Sequence, residues 1–292
     1  MRKLLEGKVA VVTGSGNGIG RAHALGLSKQ GAKLVINDIG TSAYGQGVSH
    51  GPADAVVKEI KAMGNSAVAC YDSVTTEKGC ANIIQTAIDS FGQIDVLINN
   101  AGVVKNPHNI ADIPSEDWDT IMKTHLYGTF YCTRAACAHM RQQKYGRIIN
   151  TSSHVGLGFT NFVSYAAAKE GIVGLTRVVA RDMAEFGVTC NAIRPIAAWR
   201  GAADINPKIE VNKPEDISAL VVYLASEAAD HINGCIFEVW RGHVGIFTDP
   251  PPVEQVLKNE GSWTTEELAE VIPQTLTKGR SREKFPKFLD FF

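Results

Sequence analysis

The chain has 292 residues, enough to bury a full core, and its 45% apolar and 20% charged residues are an ordinary globular balance. A formal net charge of -1 gives no basis for binding nucleic acid or an anionic membrane surface. No run of about 18 apolar residues is present, so no membrane-spanning helix is expected.

Short apolar runs alternate with longer helical patterns from residue 8 to about residue 240. The first strand is predicted over Lys8–Thr13, followed by a glycine-rich turn and a helix over 18–30. A second strand, Lys33–Asp38, leads into a Gly/Ser loop over 40–52, longer than usual for this connection. A helix over 53–63, a strand over Ala67–Tyr71, a helix over 76–91 and a strand over Ile94–Asn99 come next. The helix over 115–142 opens on Ser115-Glu116-Asp117-Trp118, an N-cap followed by acids in the first turn. Strands over Gly146–Thr151, Thr189–Arg194 and Cys235–Val239 alternate with helices over 163–186 and 214–226. These strands are β-branched or Leu/Ile-rich without polar alternation, as expected of strands covered on both faces. The pattern predicts an α/β chain with a parallel sheet of about seven strands and helices on both faces. Residues 241–292 read as a polar C-terminal extension containing Pro250-Pro251-Pro252 and one helical stretch near Thr264–Ala269. The expected division is therefore a domain over 1–240 and an extension over 241–292. The first eight residues lack the apolar core of a signal peptide, and Leu289–Phe292 is not a peroxisomal Ser-Lys-Leu tail. A cytoplasmic location is expected. Six scattered cysteines without a CxxC pair predict reduced, mostly buried thiols and no metal site.

Thr13-Gly14-Ser15-Gly16-Asn17-Gly18-Ile19-Gly20 ends one strand and opens a helix. Glycines there let the backbone turn sharply and approach a pyrophosphate, which the helix N-terminus stabilises. Such a match is weak alone, but a strand precedes it, a helix follows, and Asp38 ends the next strand. A carboxylate at that point accepts hydrogen bonds from the adenosine ribose hydroxyls and repels a 2′-phosphate, which favours NAD over NADP. Arg21 is the nearest cation that could weaken this preference.

Tyr165 and Lys169 are four apart in a predicted helix and share a face. A phenol with an ordinary pKa of about 10 is a poor base at neutral pH. A neighbouring ammonium favours the phenolate. The pair gains meaning from its company. Thr13-Gly-x-x-x-Gly-x-Gly20, Asn99-Asn100-Ala101-Gly102, Ser152-Ser153 and Tyr165-x-x-x-Lys169 occur in this order. The set resembles the short-chain dehydrogenase/reductase family over residues 5–240. The resemblance implies a Rossmann-type doubly wound sheet and hydride transfer between a nicotinamide and a carbonyl or alcohol carbon. It makes Tyr165 the general acid/base and has Lys169 hold the nicotinamide ribose and lower the Tyr165 pKa. Cofactor contacts are implied for Gly14, Asn17, Gly18, Ile19, Gly20, Asp38, Asp72, Ser73, Asn99, Ala101, Gly102, Tyr165, Lys169 and Pro195. A serine is implied to hydrogen-bond the substrate oxygen. The Ser-x-x-Gly shape selects Ser153, whereas the usual thirteen-residue spacing to Tyr165 selects Ser152. We prefer Ser153, since a one-residue deletion in Leu157–Asn161 is easier than slipping the strand end, which reverses its side-chain faces. His125 stands where most of the family has Asn. It reads either as a proton relay or as a buried structural histidine.

His125-Leu126, Val35–Gly40 with the insertion after it, Asn65–Ser73, Ser115–Asp119, Lys144–Ile149 and Phe237–Val239 are similar to one branch of the family. That branch is the (3R)-hydroxyacyl-CoA dehydrogenase of the multifunctional β-oxidation enzyme. It implies a small-molecule substrate, an acyl-CoA thioester, and a homodimer or homotetramer formed through the helices near 115–142 and 163–186. The residues also leave open a dehydrogenase for a steroid or small cyclic alcohol, or a weakly active cofactor-binding partner subunit. The segment 196–212, with Trp199 and Arg200, lacks the pattern expected of that branch.

Overall fold

Every residue of Val9–Thr13 is buried, as an apolar run without polar alternation requires of a strand covered on both faces. This is β1 of the computed structural model, which describes residues 3–198, 212–248, 251–257 and 262–279. It is followed by α1 (Gly18–Lys29), β2 (Lys33–Asn37), α2 (Gly51–Ala62), β3 (Ala67–Cys70), α3 (Glu77–Phe91) and β4 (Val96–Asn99). The second half contains α4 (Ser115–Ile121), α5 (Gly128–Gln143), β5 (Gly146–Thr151), α6 (Val163–Asp182) and β6 (Val188–Pro195). Further on come α7 (Pro214–Leu224), β7 (Ile236–Trp240), β8 (His243–Ile246) and α8 (Thr265–Gln274).

The eight strands form one sheet in the order β3-β2-β1-β4-β5-β6-β7-β8. β1 to β7 run parallel, and β8 returns antiparallel along β7. Alternate residues of β1 feed two apolar layers. Ala10 and Val12 pack with Leu27, Ile36, Val56 and Val221 under α1, α2 and α7. Val9 and Val11 pack with Ile83, Cys132 and Met140 under α3 and α5. The order reverses between β1 and β4, so the loops leaving their carboxyl ends diverge and open a crevice.

Three differences from the sequence expectation matter. The helix over 115–142 is interrupted by a π-helical turn, Met122–Tyr127, which carries His125. The apolar spacing on either side stays helical, so periodicity cannot reveal the wider turn. Ser115 is the first helical residue, and Pro114 occupies the capping position. Residues 243–246, read as part of the tail, form an eighth strand whose alternate residues are exposed. Its order comes from pairing with β7, which no short-range signal reports. The chain divides into two compact units, Met1–Ile246 and Phe247–Phe292. In the second unit α8 is closed at its start by a capping box, with Thr264 accepting from the Glu267 amide and Glu267 from the Thr264 amide. All six cysteines are free thiols, four of them buried.

Candidate active site

The ends of β1 and β4 are joined by side chains. Thr13 Oγ1 accepts from the amides of Asn100 and Ala101 at 3.0 and 3.1 Å. The Asn100 carboxamide donates to the carbonyls of Thr13 and Gly14, both at 3.0 Å. Gly14 turns with φ +63°, and a Cβ there would lie 2.7 Å from Ala101 Cα. A Cβ on Gly20 would overlap the Gly14 carbonyl. Gly18, at φ +51°, faces open space. Asn17 gives α1 no side-chain cap, and its first turn holds no acid. The result is a bare cradle of backbone at a helix N-terminus, which suits a pyrophosphate.

This cradle forms one end of a cleft of about 470 Å³. Gly14, Asn17, Gly18, Ile19, Gly20, Asp38, Asp72, Ser73, Ala101, Gly102, His125, Tyr165 and Lys169 all line it. Asp38 is held at both oxygens, by the Gly16 amide at 2.8 Å and the Gly40 amide at 2.7 Å. Arg21 is committed elsewhere, pairing with Glu59 at 2.6 Å. Asp72 accepts from Asn82 at 3.0 Å through its carboxylate. Its carbonyl accepts from the Asn37 carboxamide at 2.9 Å. The Ser73 hydroxyl meets that of Thr75 at 2.9 Å. Two expected cofactor contacts lie outside the lining. Asn99 is the last residue of β4 beside Asn150, and its carboxamide turns inward to Asn150 at 2.9 Å and Thr133 at 3.0 Å. Asn100, one residue past the strand, takes the cleft side instead. Pro195 closes β6 and does not line the cleft. The long loop after β2, for which the sequence suggests no role, supplies Ile39, Thr41, Ala43 and Gly45 to the wall. It is pinned across the cleft by the Val104 amide donating to the Ala43 carbonyl at 2.9 Å.

Tyr165 and Lys169 sit on the face of α6 turned to this cleft. The Lys169 ammonium lies 5.3 Å from the Tyr165 ring centroid and donates to the Thr151 carbonyl at 2.7 Å. Burial lowers the Lys169 pKa to about 7. Desolvation pushes the Tyr165 phenol up to about 12, opposed by a hydrogen bond with the Ser153 hydroxyl. In the protein alone, desolvation therefore outweighs the lowering expected from Lys169. The two serines are sorted by strand parity. Ser152 is 1% exposed and donates to the Lys169 carbonyl at 2.9 Å, whereas Ser153 faces Tyr165.

His125 is 3% exposed and packs edge-on against Tyr165, ring centroids 5.0 Å apart. Its Nε2 lies 2.8 Å from the Val103 carbonyl and 3.2 Å from the Val103 amide, and the shorter contact favours the tautomer protonated there. Nδ1 is buried with no hydrogen-bond partner among the described residues. Burial, then the Lys169 charge, holds its pKa down to about 3, so the imidazole is neutral. Lys105 and His108 share Asp117 at 3.2 and 3.5 Å, and none of the three lines the cleft. Trp199 and Arg200 lie outside the described residues. Among the described residues no helix is long and apolar enough to cross a membrane.

A phenol, a hydroxyl and an ammonium at one end of a crevice, with an anion cradle at the other, suit proton transfer to a substrate oxygen beside a dinucleotide. The comparisons agree. The family model for short chain dehydrogenases matches residues 8–198. The peroxisomal hydratase-dehydrogenase-epimerase of Neurospora crassa is 43% identical over 89% of this chain, although the match spans only 29% of that longer protein. A hydroxyacyl-CoA dehydrogenase of Mycobacterium tuberculosis is 36% identical over 90% of this chain and 87% of its own length. The crystal structure of a short chain dehydrogenase from Mycobacterium avium superposes with a TM-score of 0.83, at 40% identity, covering 95% of this chain and 97% of that one. Shared fold, motif order and similarity along nearly the whole length have one explanation: the chain belongs to the short-chain dehydrogenase family and is an oxidoreductase.

Proposed function

We propose that the protein is an NAD-dependent dehydrogenase that interconverts a secondary alcohol and a ketone, with a 3-hydroxyacyl-CoA thioester as its substrate. The observation that carries the chemistry is the placement of Tyr165 and buried Lys169 on one face of α6 in the cleft wall, with the Lys169 ammonium 5.3 Å from the Tyr165 ring centroid. The Gly14–Gly20 cradle would hold the pyrophosphate, Asp38 the adenosine ribose and Lys169 the nicotinamide ribose. When bound, the nicotinamide supplies or accepts the hydride. Ser153 hydrogen-bonds the substrate oxygen. Tyr165, a phenol at neutral pH, gives that oxygen its proton in reduction and must first lose the proton in oxidation. Neutral His125 leaves the Nδ1 lone pair as an acceptor along the proton path rather than a cation. Support for NAD comes from Asp38, which is held by the Gly16 and Gly40 amides and whose charge opposes a 2′-phosphate. Support for the thioester comes from the names of the Neurospora and Mycobacterium tuberculosis relatives. Residues 1–240 and the strand after them would form the dehydrogenase domain, with the remainder as an extension. Exposed Tyr127, Phe130 and Val178 support self-association through α5 and α6.

A substrate screen following reduced-nicotinamide absorbance tests the reading. Acetoacetyl-CoA should be reduced with NADH at far higher kcat/KM than the same ketone without CoA. Binding the nucleotide handle then helps to orient the reacting carbon. Equal rates with and without CoA would discard the thioester and leave the dehydrogenase assignment standing.

A further inference from the structure

Behind the serine turn lies an ion pair that the proposed chemistry does not use. Arg194, in β6, is 3% exposed. Its Nη1 is 2.7 Å from Glu170 Oε1 on α6 and donates to the Ser153 carbonyl, also at 2.7 Å. A buried guanidinium is costly unless it is paired and its donors are used. Here Glu170 provides the countercharge, and one donor is placed on the peptide of the serine that faces Tyr165. The turn is shaped to fit the pair. Ser153 is extended at φ -161° and accepts the Val155 amide at 3.2 Å, starting the short helical turn His154–Leu157. Gly156, in that turn, has no room for a Cβ, which would overlap Glu170 Oε1 and come within 3.3 Å of Arg194 Nη1. The loop from Ser153 to Tyr165 is one residue shorter than the usual spacing. Its length alone therefore does not set the aim of the serine.

We propose that Arg194, held by Glu170, is a positioning residue that fixes the Ser153 peptide and so keeps the Ser153 hydroxyl on Tyr165. The inference rests on the proposed role of Ser153. A planar guanidinium suits the task because its donors diverge in fixed directions, allowing it to hold a carboxylate and a carbonyl together. Displacement of a catalytic group by an ångström costs turnover by up to about 10²-fold without touching cofactor binding.

The test is NADH oxidation with acetoacetyl-CoA, assayed at high enzyme concentration in two backgrounds. In the native background Arg194→Met should lower kcat roughly 10- to 100-fold and leave KM for NADH nearly unchanged. Arg194→Lys should recover part of the loss. In the Ser153→Ala background Arg194→Met should cost less than about twofold more, because no hydroxyl is left to aim. Equal losses in both backgrounds overturn the positioning role and leave Ser153 in place. Full activity of Ser153→Ala overturns both. If Arg194→Met fails to fold by circular dichroism, Glu170→Gln at its more exposed position replaces it. That change should lower kcat several-fold in the native background only, and no loss, or an equal loss in both, overturns the proposal.

Discussion

Gly102→Ala tests whether the placement of His125 matters to the site. A Cβ on Gly102 would lie 2.6 Å from His125 Cε1, with Nδ1 and Nε2 next nearest at 3.2 and 3.4 Å. Carbon atoms pack comfortably at about 3.5–4.0 Å, so the ring must retreat by about 1 Å. It cannot do so freely, since it is buried and tied to the Val103 carbonyl at 2.8 Å. Overpacking of this kind costs about 1–3 kcal/mol, and the strained hydrogen bond adds about 1 kcal/mol. At about 2–4 °C per kcal/mol for a chain of this size, the loss of about 2–4 kcal/mol lowers Tm by about 4–16 °C. Turnover should fall by about 10²-fold if the ring's place in the proton path matters. The assay is a double-mutant cycle measured by urea unfolding and turnover. In a His125→Ala background the three nearest atoms are gone, and Gly102→Ala should cost less than about 0.5 kcal/mol. The same loss in both backgrounds would refute the clash, and unchanged turnover in a destabilised Gly102→Ala would refute the role of His125.

Other expectations follow from the same geometry. Tyr165→Phe removes the proton-transferring oxygen and keeps the ring packed against His125. Turnover should fall at least about 10²-fold, while NADH fluorescence on binding persists. Because desolvation raises the Tyr165 pKa, oxidation should accelerate with pH through the alkaline range while reduction does not, and matching profiles would argue against Tyr165 as the titrating group. The wild type should prefer NADH to NADPH, and replacing Asp38 by Ser should narrow that preference because the carboxylate's repulsion is lost. A native preference for NADPH would show that Asp38 does not decide the choice. His23 is fully buried with neither ring nitrogen hydrogen-bonded among the described residues, and burial lowers its pKa to about 3. The unfolded chain takes up a proton below about pH 6.5 that the folded one refuses, so stability falls as pH drops through that value. At pH 5 the penalty is about 2 kcal/mol. His23→Leu should remove it, and equal acid sensitivity of wild type and variant in urea titrations would refute it.

The strands and the glycine turn after β1 were legible because their signals are local. An unbroken apolar run such as Val9–Val12 marks a strand covered on both faces, and Gly14, Gly18 and Gly20 are needed by a tight turn a few residues long. Tyr165 and Lys169 share a face because four residues make about one helical turn. Strand parity also favoured Ser153 over Ser152, since neighbours in a strand point opposite ways. The same alternation at β4 turns Asn99 inward and leaves the cleft side to Asn100.

Other features depend on partners far along the chain. β8 exists by pairing with β7 and carries too few apolar residues to announce itself. The π-helical turn that carries His125, a residue of the cleft wall, leaves the apolar spacing around it intact. Arg194 reaches Ser153 across 41 positions and Glu170 across 24, distances that only the adjacency of β5, α6 and β6 closes. Desolvation likewise belongs to the assembled protein: Tyr165 and Lys169 carry ordinary pKa values as residues, and the packing around them moves both toward their neutral forms. Composition and spacing determine which groups are present and which face they share within one element. How far each is removed from water, and what it meets from another element, is decided by the close packing of the folded chain.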